Sequence, residues 1–275
     1  MHPISRVTML STGTVQIRPE HVKRTRSPLP WWLLTSRRWT SPRPINVYVV
    51  EHEHGLVLFD TGQDRASVTD ADYFPPGLAG FLYSRLARFS IGQEQTLARQ
   101  LHLLGYDIAH VRVVVLSHLH QDHIGGLGEL GHAQIIVGRS ELAAAREHFA
   151  EINGYLTQHI FHSGLKWKAV DNTLDIFEDG SLTVASTPGH TPGSLSMLLV
   201  QSDFPPLLFV GDLTYDVTLL ASEHIPGIGS KAELLASTRR VAEFAAQYPG
   251  LVVLATHDPA AQSLLNSAMS KNLDR

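Results

Sequence analysis

Cysteine is absent from the 275 residues. Disulfides and thiolate metal ligands are therefore excluded. No apolar run approaches the ~18 residues that a membrane-spanning helix needs, so no membrane span is expected. The first ten residues contain Pro3 and Arg6 and no apolar core. A signal peptide is accordingly not expected, and the cytoplasm is the expected location. Charged residues are sparse at 17%, whereas hydrophobic ones reach 43%. That balance excludes a disordered chain and predicts a folded domain with a substantial core.

The charge is unevenly spread. Residues 1–43 hold eight bases (Arg6, Arg18, Lys23, Arg24, Arg26, Arg37, Arg38 and Arg43) and one acid, Glu20. Subtracting these from the totals of 22 bases and 26 acids leaves 14 and 25, a net of −11 for the remainder. Such a body repels phosphates, so no nucleic acid partner is expected. The basic head is expected to pack on its own body or on a second subunit, leaving a homodimer open.

Short apolar runs bounded by Gly, Pro, His or Asp predict strands over 45–50, 56–60, 111–117, 134–138, 182–187, 194–200, 207–211 and 251–256. Apolar spacing predicts helices over 93–104, 139–149 and 231–247. The last of these starts with Ser230 and Glu233 in a capping-box arrangement. Strand runs come in groups with helices between and after them. This predicts two packed sheets with helices outside, not a strictly alternating sheet. No fixed-period repeat is present. The stretch 18–44, rich in Pro, Arg and Trp, reads as a long ordered loop that serves packing, a lid or a dimer contact.

The chemistry concentrates in Ser117-His118-Leu119-His120-Gln121-Asp122-His123-Ile124-Gly125-Gly126. Three histidines and one aspartate in six positions form a metal-ligand set by residue type. His118 and His120 lie two apart, so on extended backbone they point the same way. Asp122 and His123 then come from a turn and reach a second ion. Gly125 and Gly126 are expected to let the backbone bend close to the site.

This spacing resembles the HxHxDH signature of the metallo-β-lactamase superfamily. Further matching segments follow: Thr187-Pro188-Gly189-His190-Thr191-Pro192-Gly193, Val210-Gly211-Asp212 and Ala255-Thr256-His257-Asp258, with Phe59-Asp60-Thr61-Gly62 upstream. The resemblance implies an α/β fold, a four-layer αββα sandwich, as one domain over 1–275. It implies that His118, His120 and His190 hold one divalent ion, and that Asp122, His123 and His257 hold the other. Asp212 bridges the two, and Asp60 orients a ligand imidazole without binding metal. Zinc fits these donors, and manganese, iron or cobalt fit them too.

Within the superfamily, the chain looks most like the N-acyl-homoserine-lactone lactonases. These carry a tyrosine three residues after the bridging aspartate, and Tyr215 occupies that place. The resemblance implies a lactone substrate opened by a hydroxide that bridges the two ions. Tyr215 would donate to the lactone carbonyl, and Asp122 would pass a proton to the leaving oxygen. The acyl tail would lie against 31–34 or 74–89. Gln121 departs from the pattern, since some lactonases carry an aromatic residue there, which leaves the preferred ring or chain open. A thioesterase similar to glyoxalase II shares the ligands and remains an alternative, as does an oxidoreductase resembling the mononuclear iron sulfur dioxygenases. A non-catalytic binding module would not need all seven ligands. His52, His54, His159, His162 and His224 are expected to be solvated or structural.

Overall fold

The computed structural model describes residues 2–162 and 164–270; residue 1, residue 163 and residues 271–275 of the expected domain lie outside the described residues. Twelve strands are described. They are β1 (Ile4–Ile17), β2 (Arg43–His52), β3 (Gly55–Phe59), β4 (Ala87–Ser90), β5 (Val111–Val115), β6 (Gln134–Gly138), β7 (Lys166–Val170), β8 (Thr173–Asp175), β9 (Leu182–Ser186), β10 (Leu195–Gln201), β11 (Phe204–Phe209) and β12 (Val252–Leu254). The first sheet has the order β4-β1-β2-β3-β5-β6-β7, and the second β12-β11-β10-β9-β8.

The continuous apolar runs follow from burial on both faces. Tyr48, Val50, Phe59, Val115 and Ile136 of the first sheet meet Val184, Met197, Leu199, Phe209 and Leu254 of the second. Residues one position along point outward. Val47, Val49, Leu58 and Val114 pack against Leu97 and Leu101 of the helix Leu97–Leu103 and Leu142 of the helix Arg139–Ala144. Leu198, Leu208 and Val210 pack against Leu234 and Val241 of the helix Lys231–Gln247. These are the four layers, helix, sheet, sheet and helix, that the motifs imply. Ser230 caps the helix Lys231–Gln247, its hydroxyl accepting the Glu233 N–H.

Four strands escape the sequence patterning: β1, β4, β7 and β8. β1 pairs with both β2 and β4. Its polar residues interrupt simple alternation, and its register against β2 shifts twice. The stretch 18–44 is also not one long loop. It carries the helices Pro19–Val22 and Leu29–Thr35, each with proline in its first turn, and β2 begins at Arg43. Proline fixes a helical φ and lacks only an N–H that is unpaired there anyway. The Ala-rich segment turns helical only over Arg139–Ala144.

The basic head packs on its own body. Arg18 is 1% exposed and donates to the carbonyls of Arg85 and Arg38. Its guanidinium lies 3.6 Å from the Trp39 ring centre. Arg24 donates to the carbonyls of Pro226 and Gly229, and Arg43 to those of Tyr215 and His257. No helix among the described residues is long and apolar enough to cross a membrane.

Phe209 fills the space between the sheets against Tyr48 and Phe59, with ring centres 4.7 and 5.8 Å away. Phe209→Ala should lower unfolding stability by about 3–5 kcal/mol, measured by urea titration, because the cavity cannot close against two stiff sheets.

Candidate metal centre

The parallel pairs β3·β5 and β11·β12 end at one edge of the sandwich. β9 shares the direction of β11, because each is antiparallel to β10. Residues just beyond these strands therefore converge: Asp60 after β3, 117–123 after β5, His190 after β9, Asp212 after β11 and His257 after β12.

Asp60 is fully buried and adopts a left-handed backbone, φ 65°. This conformation is uncommon outside glycine but tolerated by Asp. The twist turns its carboxylate across the strand ends. Oδ1 accepts the Ser117 N–H at 2.7 Å. Oδ2 accepts from the Ser117 hydroxyl at 3.0 Å, the Thr256 hydroxyl at 3.1 Å and His123 Nδ1 at 2.7 Å. The backbone N–H of Asp60 donates to Val115.

Each of three imidazoles has one nitrogen committed away from the centre. His123 uses Nδ1 on Asp60, His257 uses Nδ1 on the Pro44 carbonyl at 2.8 Å, and His120 uses Nε2 on the Asn153 carbonyl at 3.3 Å. Such partners fix the tautomer and leave the other nitrogen as a lone-pair donor. His118 Nε2, His123 Nε2, His257 Nε2 and Asp212 Oδ1 are buried with no hydrogen-bond partner. These atoms face one another. His123 Nε2 and His257 Nε2 lie 3.5 and 3.4 Å from Asp212 Oδ1, and His257 Nε2 lies 3.4 Å from Asp122 Oδ2.

These separations match the edges of a coordination shell. Arms of about 2.1 Å arranged tetrahedrally have edges of about 3.4 Å. Three sets of donor atoms each lie within 4.8 Å of one another: His118, His120 and His190; His118, His123 and Asp212; and Asp122, His123 and His257. All seven side chains singled out as ligands are thus brought together. The donor set fits divalent metal, since leaving so many buried polar atoms unpaired would otherwise cost about 1–3 kcal/mol apiece.

The electrostatics call for added positive charge. Burial lowers the His118 imidazole well below its ordinary range, with its histidine neighbours adding to the effect. His190 is lowered by burial to about 3, against the pull of Asp212. Burial would also lower His123, but Asp60 and Asp212 override it and draw a proton onto that ring. Burial would raise the Asp122 carboxyl, yet the His257 contact and the His123 charge hold it down at about 2. Buried carboxylates that recruit protons onto neighbouring imidazoles are placed to recruit cations.

Two glycines matter, each for a reason visible only in three dimensions. Gly211 has φ +55°, and a Cβ there would lie 2.5 Å from the Ser117 Cβ. Gly125 has an ordinary helical φ of −60°, so the expected special bend is not its role. A Cβ on it would strike the Gln63–Asp64 backbone at 2.1 Å, so it permits close packing.

Tyr215 is 4% exposed, stacks on His257 at 5.6 Å and donates its hydroxyl to Asp212 Oδ2 at 2.7 Å. Burial and Asp212 raise its pKa well above the ordinary phenol value, which keeps the donor proton in place. A cavity of about 660 Å³ opens over these residues. Its floor includes His120, Asp122, His190, Asp212 and Tyr215, and its wall includes Leu29, Pro30, Leu33, Leu82, Leu86 and Phe89. Gln121 lines it too, with its Oε1 unpartnered.

Three contributors carry no sequence signal. Glu141 is fully buried, and its carboxylate accepts the Leu119 N–H at 3.0 Å and the Gly193 N–H at 3.0 Å. It ties two ligand-bearing loops together, yet looks like any helix-surface acid in sequence. Arg43 holds the carbonyls of Tyr215 and His257. His21, inside the basic stretch, lines the cavity. Of the histidines expected to be structural, His52 bonds Asp179 and Ser181 and stacks on Phe177, His159 stacks on Tyr73, and His224 bonds Ser222.

Comparison with known proteins agrees with this geometry. Residues 40–257 match the family model described as the metallo-beta-lactamase superfamily. The chain is 30% identical over 270 residues to the N-acyl homoserine lactonase AttM of Agrobacterium fabrum, covering 93% of this chain and 94% of that one. A solved structure of a Bacillus thuringiensis AiiA variant with N-decanoyl-L-homoserine at its active site superposes with a TM-score of 0.78 at 22% identity, covering 94% and 96%. An N-acyl homoserine lactone hydrolase with its product N-hexanoyl-L-homoserine at the catalytic metal centre gives the same score, identity and coverage.

Asp60→Asn keeps the shape but offers His123 a weaker acceptor. It should weaken metal retention about 10–100-fold, read by competition with a chelating dye. Unchanged retention would mean that Asp60 only braces the strands.

Proposed function

The chain belongs to the metallo-beta-lactamase superfamily, and on that premise we propose that it is a metal-dependent hydrolase opening the ester ring of N-acyl homoserine lactones. The single observation that carries this reading is the cavity itself: a polar floor of metal-type donors beneath an apolar wall. The 30% identity with a lactonase over nearly the whole chain supports the same substrate class.

In this proposal one divalent ion is held by His118, His120 and His190, the other by Asp122, His123 and His257, with Asp212 between them. Zinc suits the imidazole and carboxylate donors, and manganese, iron or cobalt are the other outcomes of a metal analysis. When bound, such a pair supplies Lewis acidity and lowers the pKa of water toward about 7.

The chain's own residues do the rest. The lactone carbonyl comes to lie over Asp212, where the Tyr215 hydroxyl switches from Asp212 Oδ2 to the carbonyl oxygen as charge gathers there. Water oxygen joins the carbonyl carbon, and the bond from that carbon to the ring oxygen breaks. The Asp122 carboxylate, ionised at the cavity floor, takes the proton from the attacking water and delivers it to the ring oxygen, which leaves as a hydroxyl. The product is the open-chain N-acyl homoserine. The acyl chain lies against Leu29, Leu33, Leu82 and Leu86, and the helices of 18–44 form one side of this trough as a fixed lid.

We also propose a cytoplasmic homodimer. Trp31, Leu34, Leu78 and Phe81, exposed by 65, 60, 62 and 50% on two neighbouring helices, support the self-association.

A pH-stat assay over lactones, thioesters and phosphodiesters tests the activity. Proton release is expected from N-acyl homoserine lactones; rapid thioester cleavage with none from any lactone would favour a thioesterase instead. Tyr215→Phe should slow lactone opening about tenfold to a hundredfold, the usual cost of losing one oxyanion donor. An unchanged rate would make Tyr215 a packing residue.

A further inference from the structure

His21 has no role in the metal centre, yet it is the only histidine of the N-terminal segment to line the cavity. It sits on the helix Pro19–Val22 and is 6% exposed. Its ring lies edge-on to Trp32 at 5.5 Å and 6.1 Å from the ring of Tyr215. Its backbone is pinned, because the Gly227 N–H donates to the His21 carbonyl at 3.0 Å. A Cβ at Gly227 would meet the neighbouring Glu20 carbonyl oxygen at 1.9 Å, so this approach is as tight as the chain allows. The backbone that carries the imidazole is therefore held firmly in position.

One of its ring nitrogens is nevertheless unused. Nδ1 is buried with no hydrogen-bond partner. Leaving a buried donor or acceptor unpaired costs about 1–3 kcal/mol, a penalty that a purely packing role would avoid with Leu or Phe. Burial lowers the His21 pKa to about 4, more than Asp212 and Asp122 raise it. The ring is thus neutral near pH 7, with one N–H to donate and one lone pair to accept. Those are the complements of a carbonyl and an amide N–H.

Its place along the cavity identifies the group it would meet. His21 lines the same cavity as Tyr215 and Asp212 of the floor and Leu29, Pro30 and Leu33 of the apolar wall. Its ring neighbours are Tyr215 and Trp32, the latter on the helix that carries those three wall residues. An N-acyl homoserine lactone has the same order of polarity: a ring ester, then a secondary amide, then an alkyl chain. With the ester over the floor and the chain along the wall, the amide falls at the boundary that His21 occupies. We propose that His21 is a substrate-binding residue that hydrogen-bonds the amide linkage of the acyl side chain, setting selectivity for amide-bearing lactones. This assignment rests on the lactonase reading above.

The test compares N-hexanoyl homoserine lactone with γ-nonalactone, which has a ring ester and an alkyl chain but no amide. His21→Phe keeps the aromatic packing against Trp32 and removes the hydrogen bonds; His21→Gln keeps a donor and an acceptor. The ratio of kcat/KM for the amide-bearing over the amide-free lactone should fall at least tenfold in His21→Phe, mainly through KM. His21→Gln should recover much of that ratio, and metal content should stay at the unsubstituted level in both. A proportional loss on both lactones, or no recovery with Gln, would make His21 a structural residue and overturn the assignment while leaving the lactonase reading intact. Should His21→Phe fail to fold, the same ratio measured for His21→Gln and His21→Leu decides: it must fall further in Leu than in Gln. No opening of either lactone by the unsubstituted protein would overturn both readings together.

Discussion

The carboxylate of Asp60 is the interaction on which the site depends. It accepts hydrogen bonds from Ser117, His123 and Thr256, which belong to the ends of two further strands in two different sheets. A buried anion with four donors is well compensated, whereas the same carboxylate with its partners removed would be costly. The left-handed backbone at Asp60 is a local strain that only this surrounding network sustains. Through His123 the network reaches the donor cluster directly. Through Ser117 and Thr256 it holds the backbones that present His118 and His257.

Around that anchor, His118 Nε2, His123 Nε2, His257 Nε2 and Asp212 Oδ1 are kept from satisfying one another, while His190 Nε2 and His120 Nδ1 lie 3.1 Å apart. His123 Nε2 and His257 Nε2 sit 3.5 and 3.4 Å from Asp212 Oδ1, beyond good hydrogen-bond geometry and suited to arms converging on a cation. Stiff strands make this possible. Flexible loops would let these groups collapse onto each other, but His123 is tied from behind by Asp60, His257 by Pro44 and His120 by Asn153. Asp212 is held by the Tyr215 hydroxyl, and Glu141 staples the loops at Leu119 and Gly193. The N-terminal segment completes the cavity. Arg18, Arg24 and Arg43 donate to carbonyls of the body, which places His21, Leu29 and Leu33 over the donors.

Much of this is legible in the sequence. The donor cluster at 118–123, the two packed sheets and the capped helix Lys231–Gln247 follow from residue type, spacing and apolar runs, whereas His190, Asp212 and His257 enter only through the resemblance to the superfamily. β1 was missed because its polar interior disguises a strand that pairs on both sides. The helix Leu29–Thr35 was missed because prolines and tryptophans read as loop, although proline in a first turn is a start signal. Gly125 was assigned a bend, whereas its part is to admit the Gln63–Asp64 backbone, a neighbour that no spacing reveals.

By itself, the sequence determined the donor cluster at 118–123 and the strands that could carry it, because donor chemistry and periodicity are written in adjacent residues. Only the tertiary structure decided the contributions of Glu141, Arg43 and His21. Their partners are backbone atoms and cavity surfaces brought near by the packing of separate layers. A side chain's environment is a long-range property, and a linear pattern does not contain it.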